Sequence, residues 1–374
     1  MKCNKAMVIA VAGLLTGCAS DFGRLGTGEA ARLYTLQGKD GLRLEVSDFG
    51  GRLVRAWVPD RNGRLDDVAL GWNTAEEYER YGCFMGPIIG RYGNRIADGR
   101  FVLDGNVYQL PINEEMPPPR HCNVHSSPGG WDAKIWNARQ LEDGDADCLE
   151  LTYVSKDGEV GFPGTVKAKV VYSVLPGNVW RLDYELTTDK PTVVNPTHHS
   201  YWNLGGEASG SVLDHQLRIF ADKYTKTTQG LIPIEDAPVK GTGFDFTELR
   251  PIGAKREMME RDPSLKASNF WYDHNFALRG KIGEMHQAAE LYEPKSGRVM
   301  EIWTTEPCLQ MFGCQDFTGD LPTKTPGRKL CKFGGVVFET QHYPDSPNHP
   351  EFPSTVLRPG QVFHSITEYR FKTR

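Results

Sequence analysis

The chain has no Cys-x-x-Cys pair, no run of clustered Lys and Arg, no sustained 3.6-residue apolar period and no Pro/Ser-rich linker. Each absence closes off a class of protein. Without paired cysteines, a zinc ribbon or thiol-redox motif has no support. With 43 Lys and Arg against 48 Asp and Glu, net −5, and no basic run, the chain is a poor binder of nucleic acid. Without a helical period, a helix bundle is not indicated. Without a linker, the body of the 374 residues reads as one domain, a length that all-β sandwiches and barrels approach as single units.

What the sequence does have is turns and alternation. The 40 Gly and 24 Pro favour short strands joined tightly, and 17 Phe, 14 Tyr and 8 Trp exclude disorder as the main theme. Trp180, Leu182, Tyr184 and Leu186 alternate with Arg181, Asp183 and Glu185, and Val166, Ala168, Val170, Tyr172 and Val174 form a matching run. Pro176-Gly177-Asn178 between them predicts a hairpin. Leu149–Tyr153 and Thr367–Phe371 read as further strands, and Asn62-Gly63, Asp104-Gly105 and Asp157-Gly158 as turns in which glycine accepts positive φ. One short helix is expected over 74–81, with Asn73 as its N-cap. The pattern predicts an all-β fold, a large antiparallel sandwich or barrel.

The N-terminus reads as an export signal. Lys2 and Lys5 precede the apolar run Ala6–Leu15, which is too short to span a membrane. Leu15-Thr16-Gly17-Cys18 resembles the lipobox of bacterial lipoproteins, in which the cysteine is acylated. The expectation is a signal peptide over 1–17, a lipidated Cys18 and a polar tether to residue 33, and a single domain over 34–374. The protein would be exported and would touch a membrane only through its lipid. Of the eight cysteines, Cys83, Cys122, Cys148, Cys308, Cys314 and Cys331 remain, and they can be bridges or buried thiols.

Several segments break the alternation with polar clusters: Gly90–Ile96, His125–Asp132, Asn195–Asn203, Tyr272–Phe276 and Val336–Gln341. Taken singly, each has a plain structural reading. Arg95 can be a surface ion pair, His125 a structural hydrogen-bonder, Asp273 a turn-former and Glu339 half of a buried pair. His198 and His199 would face opposite sides of a strand and so not chelate one metal. His121-Cys122-x-x-His125 provides three possible ligands without a fourth, so no metal is expected there.

In this order and spacing, the clusters resemble the aldose 1-epimerase family, from about residue 34 to the C-terminus. Gly90–Ala97 resembles its Gly-Arg-x-x-Asn-Arg-Ile-Ala block, and His125–Trp136 its His-Gly-Gly-x-x-Gly-Phe-Asp-x-x-x-Trp block. Pro196–Leu204 is similar to Pro-Thr-Asn-His-Ser-Tyr-Phe-Asn-Leu. Tyr272–Phe276 resembles the Asp-His-Asn-Phe block, and Phe338–Pro344 the Glu-Thr-Gln-x-x-Pro block, followed by Leu357-Arg358-Pro359-Gly360. The resemblance implies a β-supersandwich of the galactose mutarotase type with an open sugar cleft. It implies interconversion of the α and β anomers of free aldohexoses such as galactose and glucose, without a cofactor. It puts the general base on Glu339 and the general acid on His199, and the sugar contacts on Asn94, Arg95, His125, Asp273 and Gln310, with Tyr201 close by.

These residue types suit the chemistry. A carboxylate can remove the anomeric proton while a protonated imidazole supplies the ring oxygen, each contributing about 10²–10⁴-fold. On this reading, His199 carries its proton at working pH, favoured by a nearby carboxylate, and an aromatic wall lines the cleft. The chain departs from the family pattern in three places. Ser126 and Ser127 replace Gly-Gly, His198 stands where Asn is usual, and Glu114–Cys122, with Pro117-Pro118-Pro119, looks like an insertion at one rim. A non-catalytic sugar-binding lipoprotein on the same scaffold, or a relative acting on hexose phosphates or polysaccharides, are the competing readings.

Overall fold

A computed structural model describes residues 19–116 and 120–374; Cys18 and the signal segment, like Pro117–Pro119, lie outside the described residues. Two antiparallel sheets form the sandwich. The larger has nine strands, in the order Asn137–Asp143, Ala146–Ser155, Val166–Leu175, Val179–Thr188, Phe363–Thr373, Arg298–Thr304, His286–Tyr292, Gln216–Ile219 and Arg250–Pro251. The second has six: Tyr201–Trp202, Val336–Gln341, Cys308–Phe312, Asp273–Leu278, Ala221–Thr227 and Pro233–Pro238. The hairpin predicted at Pro176–Asn178 is present, with Leu175 opposite Val179.

Alternation explains how the sheets stack. Trp180, Leu182 and Tyr184 are buried, whereas Arg181, Asp183 and Glu185 are partly exposed, so one face of the nine-stranded sheet is apolar. That face packs on the six-stranded sheet: the Tyr369 ring lies 5.2 Å from Trp202 and stacks at 5.1 Å on Trp180. Burying such large rings is the main stabilising term, about 25 cal/mol per Å² of apolar surface removed from water.

The strand Val336–Gln341 is buried at every position, so it is covered on both faces. Val336 and Phe338 belong to the main core, whereas Val337 belongs to a second, smaller cluster on the opposite side. Period two then turns Glu339 the same way as Val337, away from the sandwich core.

Two expectations are corrected. Residues 20–33 are not a tether. Ser20–Arg24 and Ala30–Gln37 are the first strands of a five-stranded sheet, and Phe22 and Leu25 are buried beside Trp72 and Tyr78. The Glu76 and Glu79 carboxylates accept the backbone N–H groups of Arg24 and Gly26, each at 2.7 Å. The short helix is Ala75–Tyr81, and its N-cap is Thr74, whose hydroxyl accepts the Glu77 N–H at 3.3 Å. Asn73 bonds instead to Arg55 and to the Lys324 carbonyl. The cysteines Cys83, Cys122, Cys148, Cys308, Cys314 and Cys331 are free thiols.

Candidate active site

Three pieces of chain converge on a cleft of about 310 Å³. The six-stranded sheet forms the floor. There Glu339 pairs in register with Gln310, which pairs with Asn275, while Asp273 sits opposite Phe312. The segment Thr197–Tyr201 forms one wall. The His199 backbone is held from both sides, donating to the Pro87 carbonyl and accepting from the Gly86 N–H, each at 3.0 Å. The third piece is a small sheet in which Arg95–Ala97 pairs with Arg120–Val124, bringing Arg95 and His125 together. Gly90 starts this piece against the Trp131 ring, where a Cβ would collide with the indole.

His199 Nε2 lies 3.7 Å from Glu339 Oε1, and both side chains are buried. Burial raises the Glu339 carboxyl well above its usual range, and the nearby Asp273 charge adds to this while Arg95 opposes it. Burial also lowers His199, to about 4. This runs against the expectation that a carboxylate keeps His199 protonated, because desolvation outweighs the Asp273 charge. Both shifts favour the neutral forms, with the pair's proton on the Glu339 side.

The adjacent histidines do face opposite sides. The His198 ring packs 5.1 Å from Trp180 and 5.7 Å from Tyr172 in the core, bonds Ser200 at 2.9 Å and is pushed down to about 3 by burial. It lies behind the cleft wall, not in the cleft.

His125 presents a defined tautomer. The Asn94 N–H donates to its Nδ1 at 3.2 Å, so the neutral ring carries its proton on Nε2. Burial first, and then the His199 and Arg95 charges, keep this ring neutral. His125 and Ser126 both adopt positive φ. Ser126 stands where the family pattern has glycine, and its hydroxyl stabilises the bend: it donates to the Tyr92 carbonyl at 3.0 Å and accepts the Tyr92 N–H at 2.8 Å. His121 points elsewhere, to Asp98, so His121, Cys122 and His125 do not converge. The ligand atoms of His125, His199 and Glu339 do lie within 4.8 Å of one another. However, a metal on His125 Nε2 would need a proton on Nδ1, where Asn94 already donates.

Arg95 is nearly fully buried, between two carboxylates. Nε and Nη2 donate to Glu114 at 2.6 and 3.1 Å, and Nη2 also reaches Asp273 at 3.3 Å. Gln310 donates to the other Asp273 oxygen at 2.7 Å. Gln310 therefore stands behind Asp273 as its support and is not on the cleft surface. Asn94, Arg95, His125, Tyr201 and Asp273 all line the cleft with His199 and Glu339. Tyr201 gives its hydroxyl to the Cys83 carbonyl at 2.7 Å, so its ring is what it offers the cleft.

Sequence reasoning missed Glu114, which it took for part of an insertion, and left the aromatic wall unassigned. That wall is Phe84, Phe312, Phe317 and Tyr201. Phe84 lies 4.8 Å from His125, and Phe317 stacks on Tyr201 at 5.9 Å. Phe84 sits next to Cys83 at a bend where both have positive φ, and only its hydrophobicity marks it in the sequence. Arg91, the other arginine of the first cluster, is not in the cleft. Its guanidinium is spent on Ser155, Lys156, Thr192 and the carbonyls of Pro163 and Gly164.

The chain is similar to known proteins over most of its length. Residues 32–370 match the family model described as aldose 1-epimerase. The chain is similar to human galactose mutarotase, 37% identical over 352 residues that cover 94% of this chain and 97% of that one. It is 35% identical to aldose 1-epimerase from Escherichia coli K12 over 347 residues, 92% and 96% of the two chains. In fold it matches a galactose 1-epimerase from Lactobacillus acidophilus NCFM, with a TM-score of 0.80, 24% identity and coverage of 95% and 98%.

Proposed function

Because this chain belongs to the aldose 1-epimerase family, we propose that Glu339 and His199 are the acid–base pair with which it interconverts the α and β anomers of free aldohexoses, galactose and glucose foremost. The supporting observation is the buried 3.7 Å approach of the two side chains in the lining of a cleft of about 310 Å³. Two atoms of the substrate must exchange protons in concert, the anomeric hydroxyl and the ring oxygen. A facing carboxylate and imidazole can serve both.

The proton balance closes without an external donor. As the sugar replaces water, its hydroxyls solvate the Glu339 carboxylate, and the shared proton passes to His199. Glu339 then takes the O1 proton while His199 delivers its own to the ring oxygen. The C1–O5 bond breaks, and the open aldehyde rotates about C1–C2. Reclosure on the other face of the carbonyl returns both protons. Electrons stay paired throughout and no cofactor enters. Arg95, Asp273 and the His125 Nε2–H hold the hydroxyls away from the reacting carbon.

The basic groups favour a neutral sugar over a hexose phosphate. Arg91 is consumed structurally, and Arg95 is already matched by Glu114 and Asp273. Polarimetry on freshly dissolved α-galactose and α-glucose is the test. Pure protein should speed the approach to rotational equilibrium, and a rate equal to buffer alone would remove the proposal.

We also propose that the chain is an exported lipoprotein anchored through Cys18, supported by Lys2, Lys5, the apolar run and the Leu15-Thr16-Gly17-Cys18 sequence. Metabolic labelling with a palmitate analogue should mark the wild type and not Cys18→Ala. Equal labelling of both would overturn the anchor.

A further inference from the structure

Beside the sugar cleft lies a second hollow of about 330 Å³, and Cys83 and Phe84 line both. Its wall includes Phe49, Arg52, Tyr78, Glu79 and Asp132. Arg52 is the informative member. It is 4% exposed, yet the one hydrogen bond its guanidinium makes among the described residues runs from Nη2 to the Asp132 carbonyl, at 2.6 Å. Its Nε is buried with no partner, and so is Asp132 Oδ1. Arg91, equally buried, saturates its guanidinium within the protein. A buried guanidinium has five donors and is costly to leave unmatched, so an under-coordinated one lining a hollow marks a place where a ligand supplies acceptors.

We propose that this hollow is a second carbohydrate subsite, adjoining the catalytic cleft across Cys83 and Phe84, and that it takes a hexosyl unit. The charges of the wall select that class. Asp132 and Glu79 share the wall with Arg52, so a free anion gains little, whereas a polyhydroxyl unit accepts from the guanidinium and donates to the carboxylates. Phe49 and Tyr78, both buried, back the guanidinium, which lies 4.0 Å over the Phe49 ring and 4.7 Å over Tyr78. The hexosyl unit is either the non-reducing residue of a reducing disaccharide or a separate sugar. The disaccharide form rests on the reading of the cleft as the site of the reducing end.

Mutarotation kinetics and calorimetry on the intact protein separate these sources. Arg52→Gln and Asp132→Asn are compared with wild type on galactose and on lactose, after thermal melting shows that each variant is folded. If the subsite serves disaccharides, KM for lactose rises by about tenfold, one charged hydrogen bond's worth, while KM for galactose stays put. If it takes a separate sugar, calorimetry with galactose gives two equivalents for wild type and one for Asp132→Asn. The proposal falls if lactose and galactose respond alike, or neither responds, and galactose binds at one equivalent throughout. Calorimetry reads the hollow even if polarimetry shows no turnover, so the two proposals can fail separately.

Discussion

Glu339 and His199 stand 3.7 Å apart with both side chains out of water, and burial moves their proton affinities in opposite senses to those of an exposed pair: the carboxyl up, the imidazole down to about 4. Both shifts favour the neutral forms of the pair. Activity should therefore fall in acid, as the pair gains a second proton near the His199 value. It should fall in alkali as the pair's proton is lost, through the raised ionisation of Glu339. Glu339→Gln should reduce kcat by about 10²-fold or more while leaving the thermal melt near wild type, and should abolish the alkaline limb of any residual activity. Near-wild-type turnover in that variant would show that another group is the base.

Glu114 grips Arg95 through two hydrogen bonds from inside an apparent insertion. Replacing it with Ala leaves Asp273 as the carboxylate holding Arg95 among the described residues. KM for galactose should rise by about tenfold, comparable to one charged hydrogen bond, with kcat changed far less. A loss confined to kcat would place Glu114 in the chemistry instead of in the positioning of Arg95.

Gly90 leaves no room for a side chain against Trp131, and it opens the segment that carries Asn94 and Arg95. Gly90→Ala should destabilise the fold by about 1–3 kcal/mol through overpacking, seen as a lower urea midpoint. An unchanged midpoint would mean that the indole shifts freely.

His342 donates its Nδ1–H to the Glu306 carboxylate at 2.6 Å in a buried pair; burial lowers its pKa, but the Glu306 charge and hydrogen bond together raise it above the ordinary value. A raised folded pKa stabilises the protonated, folded form. That contribution is complete below the unfolded value of about 6.5 and is lost as pH climbs through the folded pKa. The melting temperature should therefore decline as pH rises above about 6.5, and His342→Gln should flatten that part of the profile. A parallel decline in the variant would assign the effect elsewhere.

The sandwich was legible because its strands carry the period of two that their environment imposes: Trp180, Leu182 and Tyr184 in, Arg181, Asp183 and Glu185 out. Glu339 was harder to read. Its strand is covered on both faces, so the alternation that would distinguish core from cleft is absent, and the residue was found through family resemblance. The first strands are short and largely polar and so read as a tether, whereas burial of Phe22 and Leu25 makes them part of the fold. Thr74 outcompeted Asn73 as the cap because the Asn73 side chain is engaged by Arg55 and the Lys324 carbonyl. The proton state of His199 was invisible, since it depends on how many neighbours exclude water from it, and the sequence does not display that number.

Ser20 already belongs to a sheet, and it is two positions after Cys18. An acyl chain on that cysteine would leave about 7 Å of slack, the reach of two extended residues. The enzyme would then ride flush on the lipid headgroups with little freedom to tumble. Whether its mouth faces outward or along the bilayer would be decided by the fold's own first strand.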